Sequence, residues 1–205
     1  MGVELVVVDY GGSNLRSVVK ALEHIGCAPR VVEDPDDLKD ARAVVLPGVG
    51  AAGQIMGSLR RNGLDEAILA YVGSGQPFLG VCMGMQVLME TSEEDDGQAC
   101  LGVFKGAVRR LPPTNKVPHM GWNTVVQQGG HPMWTGIPDE SFFYFVHSYA
   151  AQPSEPDVVR GATEYGVTFA SAVGRDNVFG TQFHPEKSGA LGLQIYRNFL
   201  AWASK

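Results

Sequence analysis

The distribution of apolar residues in the first half of the chain constrains the fold more than any other feature of the sequence. Leu5–Val8, residues 43–46 and residues 77–81 are short runs that are apolar without alternation, and such runs are typical of strands buried on both faces. Between the first two runs the apolar residues recur at helical spacing, at Leu15, Val18, Val19, Leu22 and Ile25. We therefore expect an α/β protein in which helices cover a largely parallel sheet.

The remaining pattern extends this prediction to the end of the chain. Residues 30–32 predict a strand, residues 64–72 a helix, and a further helix is expected to begin at or just after Cys82. From Leu101 onward, short apolar runs separated by Pro and Gly predict a largely antiparallel portion. These predicted strands lie at residues 103–111, 122–126, 142–149, 168–173 and 178–183.

The two ends of the chain carry helix signals. Ser13 or Asn14 could cap the first helix, and Gly26 could end it. A final helix is predicted because four large apolar residues share one helical stripe, which we expect to pack on the sheet. These residues are Leu191, Ile195, Phe199 and Trp202.

Composition limits the classes of function. A chain of 205 residues with 44% hydrophobic residues suits a single domain spanning residues 1–205. A net charge of -6 and basic runs no longer than two residues argue against nucleic acid as a partner. No apolar run approaches the roughly 20 residues needed to cross a bilayer, and three dispersed cysteines give neither a disulfide framework nor a paired thiol metal site. We expect a soluble, cytoplasmic protein that does not bind membranes.

Gly80 and Gly84 flank Cys82 at the spacing of a nucleophile elbow, between a predicted strand and a predicted helix. A strained strand-to-helix turn of this kind closes only where neighbouring residues lack side chains. The positive end of the following helix also favours a thiolate over a thiol. Cys82 could instead be a small core residue, the commoner role for a cysteine taken at random, but the flanking glycines favour the nucleophile.

A thiolate nucleophile requires a general base, and His184 is the strongest candidate among the five histidines. It ends an apolar run and precedes Pro185 and Glu186, so a carboxylate two residues away can orient the imidazole as the third member of a triad. The alternative is a histidine at a strand end beside an acid that begins a helix. His24 looks exposed on the first helix and His131 looks like part of a loop.

The glycine-rich loop at residues 47–50 follows a predicted strand. Its backbone N–H groups should lie at the carboxyl edge of the sheet, where they could stabilise a developing negative charge. Alone, such a loop is a weak signal.

Three separated motifs together resemble the class I glutamine amidotransferases: residues 47–50, residues 80–84 and the sequence Phe183-His184-Pro185-Glu186. Further segments are similar to the glutaminase subunits of imidazole glycerol phosphate synthase, so that the resemblance covers nearly the whole chain. These segments are residues 9–11, 14–15, 17–18, 118–123 and 145–149. The resemblance implies a flavodoxin-like α/β fold whose central sheet is mixed and mostly parallel, with an antiparallel portion in the C-terminal half.

The resemblance also implies a reaction and a set of roles. Cys82 would attack the side-chain amide of L-glutamine, His184 would move the proton to the departing ammonia, and Glu186 would orient His184. The backbone N–H groups of Gly50 and Met83 would form the oxyanion hole. The residues implied in binding glutamine are Gln86, Glu94, His147, Ser148 and Tyr149. Glu94 is thus an exception within the acidic stretch 93–96, which we otherwise expect to be a solvated loop.

A partner is implied as well, namely a (β/α)8-barrel cyclase subunit on a separate chain that consumes the ammonia. Asn14, Trp122 and Tyr144 are the expected contacts with it, although Trp122 could equally belong to the core. No cofactor and no metal are expected.

Three alternatives remain open from the sequence. One is a glutaminase subunit serving another synthase, such as one for anthranilate, aminodeoxychorismate or pyridoxal phosphate, although residues 118–123 and 145–149 argue against it. Another is a stand-alone cysteine hydrolase or peptidase of similar fold. The third is a catalytically silent, flavodoxin-like binding module in which Cys82 is structural.

Overall fold

A computed structural model describes residues 4–12 and 14–205. Its strands are β1 (Leu5–Val8), β2 (Arg30–Val32), β3 (Ala43–Gly48), β4 (Phe78–Cys82), β5 (Met89–Ser92), β6 (Gln98–Ala99), β7 (Phe104–Arg110), β8 (His119–Gln127), β9 (Ser141–His147), β10 (Tyr149–Pro153), β11 (Val159–Glu164), β12 (Thr168–Arg175) and β13 (Val178–Thr181). Its α-helices are α1 (Leu15–His24), α2 (Ala52–Arg61), α3 (Leu64–Gly73), α4 (Met83–Gln86) and α5 (Gly189–Ala203).

The central part of the sheet is parallel, in the order β2-β1-β3-β4-β13. Every residue of β1, β3 and β4 is buried, as their unbroken apolar character predicts. In the register of the sheet, Gly48 on β3 lies beside Cys82 on β4, and Thr181 on β13 lies beside Val81. The carboxyl ends of three adjacent parallel strands therefore converge, and ligands bind at this edge in open α/β folds.

The later part of the chain is mostly antiparallel. Beyond β13 the order continues β12-β10-β7-β5-β6, and only the β5–β7 pair in this stretch is parallel. Strand β11 joins β12 to β8, and β8 pairs with β9 as an antiparallel ribbon. The predicted fold class, a mixed α/β sheet with a parallel centre and an antiparallel later portion, is confirmed.

Several element boundaries differ from the predictions. Helix α2 was not predicted, because Gly53 and Gly57 weaken its helical signal, although Ile55 and Leu59 on one face are buried. The helix after Cys82 is only four residues long. The predicted strand at 142–149 is two strands that meet at Ser148, and strands β5, β6 and β11 had no separate prediction.

The helix ends support one capping prediction and correct another. Gly26 has φ 86° and follows the last turn of α1, so its prediction as the end of that helix is confirmed. Asn14 stands at the start of α1 but makes no capping hydrogen bond with its side chain, and so the cap prediction for Asn14 is wrong. The alternative cap, Ser13, lies outside the described residues.

Helix α5 packs as its apolar stripe predicts. Ile195 and Phe199 are fully buried, while Leu191 and Trp202 are partly buried against the same core. In the part of the chain that the structure describes, no helix is both long enough and apolar enough to span a membrane.

Candidate active site

Cys82 lies at the turn between β4 and α4 with φ 54° and ψ -108°, a strained conformation for a residue with a side chain. The neighbouring glycines make this turn possible. A Cβ at Gly84 would overlap the carbonyl oxygen of Leu46 on β3, and a Cβ at Gly80 would come within 2.5 Å of the carbonyl oxygen of Gly84. The elbow predicted from glycine spacing is therefore present, and its glycines allow α4 to pack directly on the neighbouring strand.

His184 and Glu186 form a buried pair next to Cys82. The ring nitrogen Nδ1 of His184 lies 2.6 Å from Glu186 Oε1, and Cys82 and His184 line the same cavity. Burial alone would lower the pKa of His184, but interaction with Cys82 and with Glu186 raises it to about 10. The site therefore favours an imidazolium beside the sulfur of Cys82, and a neighbouring cation of this kind is typical of reactive cysteines.

Glu186 is held by more than the histidine. Its Oε1 also accepts a hydrogen bond from Asn14 Nδ2 at 2.7 Å, and its Oε2 accepts one from the Tyr196 hydroxyl at 3.4 Å. Burial raises the pKa of this carboxyl, yet the hydrogen bonds and charge of its neighbours, His184 foremost, hold that pKa below the ordinary value. Asn14, predicted as a contact with the partner, thus donates a hydrogen bond to the carboxylate that faces His184.

A cavity of about 290 Å³ opens in front of Cys82. All the predicted oxyanion and glutamine-binding residues lie in its wall, together with Val49, Pro118 and Val146. The predicted lining residues are Gly50, Met83, Gln86, Glu94, His147, Ser148 and Tyr149. The size suits an amino acid, and the elements that supply these residues are far apart in the sequence.

Glu94 reaches the cavity from the acidic stretch 93–96. Its Oε2 accepts a hydrogen bond from the backbone N–H of Ala52, at the start of α2, at 2.8 Å, and burial raises the pKa of its carboxyl. Asp95 Oδ2 accepts from the backbone N–H of Gly53 at 3.0 Å, and Glu93 accepts from the backbone of Arg110. The other acidic residues of this stretch, Glu93, Asp95 and Asp96, are exposed, as expected of a solvated loop, although two of their carboxylates also accept hydrogen bonds from backbone N–H groups.

Two site residues escaped the sequence analysis. Gln182 is fully buried, and its Nε2 lies 3.7 Å from the sulfur of Cys82, while its Oε1 accepts from Gln86 Nε2 at 2.9 Å. The hydroxyl of Tyr10 accepts a hydrogen bond from the backbone N–H of Val49 at 3.3 Å, in the glycine-rich loop. The available signals were a polar residue inside the apolar run 178–183 and a tyrosine in the matched segment 9–11.

Trp122 and Tyr144 lie opposite each other on β8 and β9, with ring centroids 6.1 Å apart in an edge-to-face arrangement. Trp122 is 56% exposed and Tyr144 is half-buried, so Trp122 is not part of the core. Met120 and Phe142, which are 62% and 58% exposed, lie on the same face of this ribbon. Together these four residues, Met120, Trp122, Phe142 and Tyr144, form an apolar face that monomeric proteins rarely expose without a partner.

The other histidines are placed as expected, since His24 is exposed on α1 and His131 lies in a loop. Within residues 4–12 and 14–205, no group of three or more His, Cys, Asp or Glu is arranged to hold a metal ion.

Comparison with known proteins shows the family to which this chain belongs. A family model described as glutamine amidotransferase class-I matches residues 6–202. Imidazole glycerol phosphate synthase subunit HisH from Dehalococcoides mccartyi is 47% identical over 199 residues, and the match covers 97% of each chain. The protein of the same name from Thiobacillus denitrificans is 49% identical over 213 residues, covering 98% of this chain and 92% of that relative. A chain in the structure of PurLQS from Thermotoga maritima superposes with a TM-score of 0.80 at 22% identity, covering 98% of this chain and 99% of that one, which establishes likeness of fold.

The chain therefore belongs to the class I glutamine amidotransferase family. The part of the chain that matches the family model contains the Cys82 elbow and the His184–Glu186 pair. Within that class, identities of 47% and 49% over nearly the whole chain place it in the family of imidazole glycerol phosphate synthase subunit HisH.

Proposed function

We propose that this chain is the glutaminase subunit of an imidazole glycerol phosphate synthase, and that Cys82, His184 and Glu186 are its catalytic triad. The observation that carries the proposal is the buried, hydrogen-bonded His184–Glu186 pair beside a strained cysteine that lines a cavity of amino-acid size.

In this mechanism the thiolate of Cys82 attacks the side-chain carbonyl carbon of L-glutamine, forming a carbon–sulfur bond and a tetrahedral oxyanion. The backbone N–H groups of Gly50 and Met83 stabilise that oxyanion, and a single donor of this kind typically lowers a barrier by about 3 kcal/mol. His184 gives its proton to the amide nitrogen, ammonia leaves and a glutamyl thioester remains. Water, deprotonated by His184, then attacks the thioester, which releases glutamate and restores Cys82.

Two polar groups in the cavity account for selectivity toward glutamine. Glu94 has a carboxylate that can pair with the α-ammonium group of the substrate. Gln86 Oε1 is buried and has no hydrogen-bond partner among the described residues, so it is available to accept from the same group. The segment from His147 to Tyr149 lines the same cavity and would hold the α-carboxylate end.

The partner in this proposal is a (β/α)8-barrel cyclase on a separate chain, and the complex acts in the cytoplasm. Ammonia is small and becomes protonated in bulk water, so a closed passage between subunits benefits a synthase that consumes it. The apolar face of Met120, Trp122, Phe142 and Tyr144 supports docking on this side, because large exposed aromatic residues are typical interface anchors. Pro118 and Val146, at one end of the same ribbon, also line the active-site cavity.

The reaction is tested by measuring glutamate release from purified chain, with and without the cyclase subunit and its nucleotide. We expect low release by the isolated chain, a large stimulation by the partner, and no release from Cys82→Ala at unchanged partner affinity. Cys100→Ala is the matched control and should keep full activity. Strong hydrolysis of peptides or glutamate conjugates by the isolated chain would instead identify a stand-alone hydrolase.

The docking surface is tested separately. Trp122→Ala should weaken the affinity for the cyclase by about 30-fold, as expected for an interface anchor worth about 2 kcal/mol, with little change in unfolding free energy. Leu69→Ala removes a comparably exposed apolar side chain from α3 and should leave the affinity unchanged. Equal effects of the two substitutions on the affinity would place the interface elsewhere.

A further inference from the structure

A pair of buried histidines lies behind the wall of the glutamine cavity. His119 on β8 and His147 on β9 are directly opposite in the antiparallel register, and His119 Nδ1 lies 2.9 Å from His147 Nε2. Both side chains are buried, but only His147 lines the cavity. The proposed catalytic mechanism gives His119 no role.

The neighbours of this pair determine where its protons lie. His147 Nδ1 is 2.8 Å from the carbonyl oxygen of Tyr149, which can only accept, so this nitrogen carries the hydrogen. His147 Nε2 must then accept, and His119 Nδ1 donates to it. His119 Nε2 is left as an acceptor and lies 3.3 Å from the amide nitrogen of Asn123, which donates. Both rings are thus neutral and protonated on Nδ1.

The electrostatics agree with this assignment. Burial lowers the pKa of His119 to about 4 and that of His147 to about 3. Neither ring therefore carries a positive charge near neutral pH, and a second hydrogen on His119 Nε2 would face the amide nitrogen of Asn123, which cannot accept it.

The hydrogen bonds continue from this pair to the nucleophile. The Tyr149 carbonyl oxygen that binds His147 also accepts from Gln86 Nε2 at 2.7 Å. Gln86 Nε2 donates to Gln182 Oε1 as well, and Gln182 Nε2 lies 3.7 Å from the sulfur of Cys82. The orientation of His147 is therefore connected to the residue that we assign to glutamine binding, and beyond it to the reacting atom.

We propose that His119 is a positioning residue for glutamine binding: its Nδ1–H holds His147, and through the Tyr149 carbonyl it fixes the wall formed by Gln86 and residues 147–149. Without this donor, His147 Nε2 would be a buried acceptor with no partner, and the ring would be free to change its tautomer or turn toward another donor. The proposal deepens the proposed glutaminase function and rests on it.

Two substitutions separate the hydrogen bond of His119 from its packing. The ring stacks on Tyr165 and Phe145, with centroid distances of 3.9 and 4.9 Å. His119→Phe keeps this stacking and removes the donor, whereas His119→Asn places an amide donor near the position of Nδ1 and removes the stacking. A positioning role therefore predicts a higher KM for glutamine in His119→Phe than in His119→Asn, and a packing role predicts the reverse.

The experiment measures KM and kcat for glutamine in the complex with the cyclase, together with the urea midpoint of each isolated chain. We expect His119→Phe to raise KM by about tenfold with kcat changed less than about threefold and the urea midpoint nearly kept. His119→Asn should keep KM within about twofold despite lower stability. A wild-type KM in His119→Phe, or a KM that follows stability in both variants, would overturn the proposal.

A second measurement does not depend on activity. In the chain labelled with ¹⁵N-histidine, the ¹⁵N NMR signals of His119 and His147 should show that each ring carries its hydrogen on Nδ1. This is the less common tautomer of free histidine. Protonation on Nε2 in either ring would refute the assigned hydrogen bonds, whereas failure of the wild-type complex to release glutamate would refute the proposed function and leave this result standing.

Discussion

Replacing Glu186 by Gln would separate the charge of the triad carboxylate from its hydrogen bonds. Glu186 Oε1 accepts from His184 at 2.6 Å and from Asn14 at 2.7 Å, and an amide oxygen in the same place keeps both bonds. The amide nitrogen would then face the hydroxyl oxygen of Tyr196, which lies 3.4 Å from Oε2 and can accept. The substitution Glu186→Gln therefore preserves the geometry and removes one negative charge from a buried site.

The expected fall in kcat follows from the difference in free energy between charged and neutral hydrogen bonds. A bond to a charged group contributes about 1.5–3 kcal/mol and a neutral one about 1 kcal/mol, so the imidazolium of His184 loses about 0.5–2 kcal/mol of stabilisation. At about 1.4 kcal/mol per decade, kcat should fall roughly 2- to 30-fold. The pKa of His184, which Glu186 helps to raise to about 10, should fall as well.

The assay is glutamate release by the complex as a function of pH. Because His184 must be protonated to give a proton to the departing amide nitrogen, activity declines as pH rises through its pKa, and Glu186→Gln should move this alkaline limb to lower pH. Tyr196→Phe is the matched control, since it removes only the 3.4 Å contact and keeps the carboxylate, and it should change kcat less than about twofold. An unchanged kcat and an unmoved alkaline limb in Glu186→Gln would refute the orienting and stabilising role of this carboxylate.

Three further predictions use other features of the site. Cys82 has φ 54°, so Cys82→Gly should be inactive but about 1 kcal/mol more stable in urea unfolding than Cys82→Ala, and a less stable Gly variant would contradict strain at the elbow. Glu94→Gln keeps an oxygen for the N–H of Ala52 but loses the charge that would face the substrate ammonium, so it should raise KM for glutamine about tenfold with little change in kcat in the same kinetic assay. Burial lowers the pKa of His119 and of His131 from 6.5 to about 4 and that of His147 to about 3, so the unfolded chain takes up protons first, and the unfolding free energy should fall as pH decreases from about 6.5 to about 4. Urea titrations at several pH values measure this, and a flat profile would mean that these rings are not buried as neutral groups.

The parallel centre of the fold could be predicted because burial on both faces leaves a direct trace in the sequence. Strands β1, β3 and β4 are apolar at every position except the turn-forming end of β3, and their predicted positions agree with the structure to within about two residues. Strands exposed on one face have a weaker pattern. Hence β11 was missed, and the break at Ser148 between β9 and β10 could not be located.

The residues of the proposed triad could be selected from the sequence because each belongs to a short local motif at the end of a strand. Gln182 and Tyr10 could not be assigned in the same way, since their roles depend on contacts between strands that are distant in the sequence. Gln182 meets Cys82 across 100 positions, and Tyr10 meets Val49 across 39. Local sequence motifs indicate the residues of the proposed triad. Residues such as Gln182 and Tyr10, which contact the site from distant strands, are found only when the register of the sheet is known.

Asn14 illustrates how backbone conformation decides between roles that the sequence leaves equivalent. A capping residue has extended backbone dihedrals that aim its side-chain oxygen at the first free N–H groups of the helix. Asn14 instead has φ 79° and ψ -8°, and its amide donates to Glu186, 172 positions away. Because the side chain is half-buried, the same residue can bind the triad carboxylate and still be reached from the surface. A partner subunit that touched Asn14 would therefore act on the carboxylate that orients His184 through a single intervening hydrogen bond.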